Sequence, residues 1–299
     1  MRPEVRTVFV KANGLTFEVD QCGSGDKFAL LLHGFPESKF SWRHQMPLLA
    51  ELGYTVWAPN MRGYGRSSKP PAVADYHIDN LVSDAAALID AAGAKNTLLM
   101  AHDWGAVIAW NFSIRNVRPL ERLVIMNVPH PACMVREFRT WAQRRKSWYV
   151  FFFQLPWLPE RLMAAKQAQA IGRAFSDMAV DKSRFPVAVT DEYRRNALEP
   201  GALTAMINYY RAAVRAGQRA MNPEPGTVDV PTLMIWGEED TALGKATTYG
   251  TDRYVKDLTL RYLPGVSHWV QQEAPETVNA MIEAWLKGTP VPIEGEVLR

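Results

Sequence analysis

The sequence predicts an α/β protein: a doubly wound, mostly parallel sheet with a block of helices inserted late in it. Three observations predict it. Unbroken apolar runs recur at 28–32, 55–58, 97–101 and 123–126, as in strands covered on both faces. Helical patterns at 48–52, 81–92 and 106–115 lie between them, the alternation of a sheet wound on both sides. The alternation stops near Pro131, and residues 134–222 hold helical stretches with no convincing strand.

The elements follow in order. Residues 5–20 alternate polar and apolar, the pattern of an antiparallel hairpin with one wet face, and Asn13-Gly14 is its turn. The parallel strands and helices come next. The helical insert reads as a lid over the strand ends. A strand at 231–236 resumes the sheet, 258–263 supplies the last strand, and a helix at 273–287 closes the chain. This divides the chain into a core of 1–131, a lid of 132–224 and a second core part of 225–299. There is no internal repeat.

Composition sets bounds. Hydrophobic residues make up 47% and charged residues 22%, the balance of a globular chain with a sizeable core. The 34 Lys+Arg against 31 Asp+Glu leave +3, too little for a nucleic-acid partner without a clustered basic face. Cys22 and Cys133 sit in no metal-ligand spacing and read as free thiols. The N-terminus lacks the apolar run of a signal peptide, and the run at 148–158 is shorter than the roughly 20 residues that cross a bilayer. The expectation is a cytoplasmic protein without stable membrane insertion, monomer or homodimer.

Chemistry is concentrated at the strand ends. Ala101-His102-Asp103-Trp104-Gly105-Ala106 joins an apolar run to a helix, and its small residues suit a sharp turn that lifts one side chain above the sheet. That side chain is Asp103. A carboxylate with a reference pKa of about 3.9 is ionised near neutrality and attacks saturated carbon without a base. The product is an ester, which activated water can cleave. Asp also suits the cap of the helix that follows. Asp240 follows the strand at 231–236, with Glu238 and Glu239 as rivals for its part, and His268 follows the last strand. Nucleophile, acid, histidine is the chain order expected of this arrangement. His268 would deprotonate water, and the acid would hold its tautomer. His33-Gly34-Phe35-Pro36 follows the first long parallel strand. The amides of Phe35 and Trp104 would form the oxyanion hole.

These residues resemble the epoxide hydrolases of the α/β-hydrolase superfamily, over nearly the whole chain. Further matching stretches are Ser41-Trp42-Arg43-His44-Gln45, Arg62-Gly63-Tyr64-Gly65-Arg66-Ser67, Asn127-Val128-Pro129-His130-Pro131 and Ser267-His268-Trp269-Val270-Gln271. The resemblance implies the α/β-hydrolase fold, with eight strands and a helical cap inserted after the sixth. It also implies two cap tyrosines that bind the epoxide oxygen. One is Tyr210, in Asn208-Tyr209-Tyr210-Arg211; the other is Tyr149, a few residues before Phe153-Gln154-Leu155-Pro156. Tyr209, about 100° round the helix, should face elsewhere. Phe35, Trp104, Tyr149 and Tyr210 would then bind a small lipophilic epoxide, with water as co-substrate and no cofactor or metal.

Two other readings stand beside this one. Haloalkane dehalogenases share the Asp nucleophile and the Trp after it, but have no use for Tyr210. A non-catalytic ligand-binding protein of the same fold would not need Asp103, Asp240 and His268 together. Finally, Arg136, Arg139, Arg144, Arg145 and Lys146 precede the aromatic run 148–157. The expectation is a solvated helix face followed by pocket wall and lid core; contact with a membrane surface is the alternative.

Overall fold

The computed structural model describes residues 3–221 and 226–293, with the side chains of 218–221 outside that description. β1 (Val5–Ala12) and β2 (Leu15–Cys22) pair antiparallel, from Val5 opposite Cys22 to Ala12 opposite Leu15. Asn13 and Gly14 between them both have positive φ, 48° and 71°. That is the primed turn whose twist matches two right-twisted strands.

Alternation follows as expected: β3 (Lys27–Leu32), α1 (Gln45–Glu51), β4 (Tyr54–Pro59), α2 (Ile78–Ala91), β5 (Thr97–His102), α3 (Trp104–Ile114) and β6 (Leu120–Met126). Six helices come next: α4 (Pro131–Glu137), α5 (Trp141–Lys146), α6 (Trp148–Phe152), α7 (Leu158–Met178), α8 (Val187–Leu198) and α9 (Ala202–Met221). Then β7 (Thr232–Gly237), β8 (Leu258–Leu263), α10 (Val270–Glu273) and α11 (Pro275–Leu286) complete the chain. The expected lid boundary at 224–225 lies outside the described residues.

The eight strands form one sheet in the order β1-β2-β4-β3-β5-β6-β7-β8. β2 runs antiparallel to β4, and every adjacent pair from β4 across β3, β5, β6 and β7 to β8 is parallel. Every residue of β5 and β7 is buried, which is why those strands read as unbroken apolar runs. Side chains alternate across the sheet and so feed two cores. Leu30, Leu99, Ile125 and Met234 pack on one face; Leu31, Leu98, Val124 and Ile235 pack on the other.

Two expectations change. The closing helix begins at Pro275, not Glu273, because Ala274 leaves helical geometry (φ −123°, ψ 53°) and proline occupies the first turn. The aromatic run is not all pocket wall and lid core. Tyr149 and Phe153 pack against Tyr210, while Trp148, Phe151, Leu155 and Trp157 are exposed. Cys22 and Cys133 are both buried and unpaired. Among the described residues no helix is long and apolar enough to cross a membrane.

Candidate active site

The site is assembled at the carboxyl ends of the strands, where open parallel sheets leave a crevice. Asp103 is the residue between β5 and α3, with φ 47° and ψ −123°. Such a conformation costs on the order of 1–3 kcal/mol and persists only where its surroundings fix it. Those surroundings are glycines. A Cβ on Gly34 would lie 2.2 Å from the Asp103 Cβ, and one on Gly105 would lie 2.1 Å from the Leu32 carbonyl oxygen. Asp103 occupies the cap position of α3, yet its side chain makes no cap hydrogen bond. It turns instead into the crevice, where its Oδ1 accepts from the Phe35 amide at 2.6 Å. The Trp104 amide opens α3 and so belongs to the first-turn N–H groups that a helix leaves without an internal acceptor. The Phe35–Pro36 peptide is cis.

His268 closes the other side. Its Nε2 lies 3.5 Å from Asp103 Oδ2, and its Nδ1 is 2.7 Å from Asp240 Oδ2. Of the three candidate acids the structure brings only Asp240 to the histidine. Glu238 pairs with Lys245, and Glu239 is exposed. Asp240 Oδ1 accepts the amides of Ala242 and Leu243, while Asn127 donates to Oδ2 at 2.8 Å. Burial works to raise its pKa, but His268, Asn127 and the Leu243 amide outweigh burial and hold it below the usual carboxylate range. Burial likewise works against charge on His268. The carboxylates of Asp240 and Asp103 win and push it up to about 10, so the resting imidazole is cationic at neutral pH.

Tyr210 lies above this group with its ring edge-on to Trp104 at 5.1 Å and to Phe35 at 5.2 Å. Tyr149 faces it from α6 with ring centroids 5.8 Å apart. Burial first, and the Asp103 charge second, raise both phenols well above their usual pKa. They therefore stay protonated, as a proton donor must. Tyr209 still borders the cavity with its ring, but its hydroxyl is directed elsewhere and donates to the Arg62 carbonyl at 2.7 Å. Asp103, Trp104, Tyr149 and Tyr210 line one cavity of about 180 Å³, whose other walls include Val107, Trp110, Met134 and Leu243. Among the described residues no cluster of three His, Cys, Asp or Glu side chains is arranged to hold a metal ion.

Three supporting residues were not singled out from the sequence. Fully buried Glu37 bonds His102 Nδ1 at 2.7 Å and accepts the Gly34 amide and the side chains of Gln271 and Gln272. His102 Nε2 in turn meets the His268 carbonyl at 2.9 Å. Asn127 spans Gly237 and Asp240. A signal was present, since His102 and Asn127 are polar residues inside stretches already quoted and Glu37 directly follows another. Their partners lie more than two hundred residues away in the case of Gln271 and Gln272, and only the fold reveals them.

Comparison with known proteins gives the family. Residues 30–275 match the family described as the alpha/beta hydrolase fold. The AB hydrolase superfamily protein YfhM of Bacillus subtilis is 37% identical, covering 95% of this chain and 98% of that protein. Epoxide hydrolase 4 of Mus musculus is 34% identical, covering 94% of this chain and 79% of that one. The crystal structure of Bacillus megaterium epoxide hydrolase in complex with an inhibitor superposes with a TM-score of 0.86 at 29% identity, over 94% of this chain and 100% of that one. The chain belongs to the α/β-hydrolase fold family, within the group whose named members include epoxide hydrolases.

Proposed function

We propose that this chain hydrolyses epoxides to vicinal diols through a covalent ester on Asp103. The observation that carries the proposal is the placing of Asp103 between the Phe35 amide and His268, under two protonated phenols in an apolar cavity. Tyr149 and Tyr210 hold the ring oxygen. Asp103 Oδ2 attacks a ring carbon from the opposite side, the C–O bond breaks, and a phenol protonates the oxygen as charge develops on it. Asp103 Oδ1 becomes the ester carbonyl, already held by the Phe35 amide.

The second half depends on charge. Ester formation removes one of the two carboxylates that keep His268 protonated. Its pKa then falls, and the phenolate left by ring opening is a base for the proton it sheds. Neutral His268, oriented by Asp240, takes a proton from water as that water attacks Cγ of Asp103. The Phe35 and Trp104 amides hold the oxyanion. Collapse breaks the Cγ–Oδ2 bond and releases the diol, protonated by His268. The helices of 132–224 act as the cap that supplies both phenols. The apolar walls suit a small lipophilic epoxide, and the paired phenols favour it over a haloalkane, which offers no oxygen to hold.

A single turnover with excess enzyme in ¹⁸O-water tests this. Unlabelled diol from the first turnover, with the label retained in the peptide bearing Asp103, is the expected result. Label appearing directly in that diol would mean that water opens the ring and the ester does not form.

A further inference from the structure

The inserted helices carry a second surface that the reaction does not use. Between Glu137 and Glu160 the chain contains Arg139, Arg144, Arg145 and Lys146 and no carboxylate. In the same stretch Trp141, Trp148, Phe151 and Trp157 are 72%, 63%, 65% and 64% exposed. Single exposed apolar residues are ordinary, but a cluster of large aromatics in water marks an interaction surface.

The presentation is built rather than incidental. Trp148 and Phe151 stand exposed on α6 while Tyr149 and Val150 of the same helix wall the cavity, so one short helix serves the cavity and the outer surface together. Arg211 fixes the turn beyond it, donating to the carbonyls of Phe153 and Leu155 at 3.0 and 2.7 Å and pairing with Glu160. Leu155 and Trp157 therefore stand on a clamped turn. Arg145, Lys146 and Trp148 border one shallow depression. Lys146 is held by the Asp240 carbonyl and Arg144 by that of Phe138, and none of the four cations has a carboxylate partner among the described residues.

We infer that this face seats the protein on the headgroup–acyl boundary of an anionic phospholipid bilayer, tryptophans inward and arginines at the lipid phosphates. Indole and guanidinium are the side chains that combine an apolar body with a polar or charged end at that depth. A second copy docking through the same segment is disfavoured by charge, since an isologous contact must be self-complementary and residues 138–159 supply four cations and no carboxylate. Phe138, Ser147 and Val150, from the same segment, wall the cavity. An apolar molecule dissolved in the bilayer would thus meet the cavity from its own phase. The binding claim itself does not depend on the reaction.

Co-sedimentation of the full chain with vesicles tests it. Vesicles of phosphatidylcholine with about 30 mol% phosphatidylserine should bind at least about tenfold better than phosphatidylcholine alone, with a blue shift of tryptophan emission. The triple variant W141S/W148S/W157S should lose the shift and bind at least about tenfold more weakly, and R139E/R145E should lose the preference for anionic vesicles. Unchanged far-ultraviolet dichroism and urea midpoints would show that both variants fold. Absence of binding by the unaltered chain overturns the inference, as does binding that the triple variant retains. Concentration-dependent dimers that only the triple variant lacks, without vesicle binding, would assign the face to self-association and overturn it equally.

Discussion

Tyr149 and Tyr210 approach the site from different helices of the insert, and burial with the Asp103 charge keeps both phenols protonated through the neutral range. General-acid assistance is worth about 10²–10⁴ in rate. Replacing either tyrosine with Phe should lower kcat about 10²-fold or more, and replacing both should abolish ring opening. Rapid-mixing measurement of ester formation checks this, and a double variant that alkylates Asp103 at the normal rate refutes it. At this scale the sequence was informative where chemistry is local. Asp103, its flanking small residues and the order Asp103, Asp240, His268 could be read in line. The choice of Asp240 over Glu238 and Glu239 needed the neighbours, because Lys245 takes one and solvent the other.

Helix α3 meets β3 at its first residues, with Gly105 pressed against the Leu32 and His33 carbonyls. Gly105→Ala would put a methyl group 2.1 Å from a backbone oxygen that has nowhere to move. Overpacking of this kind costs about 1–3 kcal/mol, and here it also pushes the Asp103 turn out of line. The expected outcome is a lower urea midpoint with loss of activity; a variant with the native midpoint and rate would show that α3 tolerates the shift. Strands were the most legible elements, because strands buried on both faces leave short unbroken apolar runs that recur between helical stretches. Pro275 was available as a signal for the start of α11. The outer aromatics of α6 were not legible. Hydrophobicity argues for burial, and only the packed structure shows which side of a short helix stays wet.

Opposed titrations govern the whole molecule. Burial holds His33, His44 and His130 down at about 4 in the folded state. Unfolding lets them bind protons, so each contributes stability above its unfolded pKa of about 6.5 that is lost as pH falls toward 4, at up to about 1.4 kcal/mol per unit. His268 has the opposite sign. Raised to about 10, it contributes stability that is fully present below its unfolded pKa and is lost as pH rises through the folded value. Urea midpoints at pH 5, 6.5 and 9 should therefore peak near the middle value, and His268→Gln should flatten the alkaline side. A midpoint that rises from pH 6.5 to 5 would refute the acid limb.

β6 and β7 are hydrogen-bonded neighbours, yet all six inserted helices lie between them in the chain. During synthesis the outer edge of β6 emerges long before the strand that covers it. An uncovered edge of a half-made sheet is a template for wrong pairing, and closing so distant a contact is slow. The arrangement that brings phenols over a carboxylate thus lengthens the interval in which a nascent chain is open to aggregation, and it makes the ribosome's pace part of how this molecule comes to work.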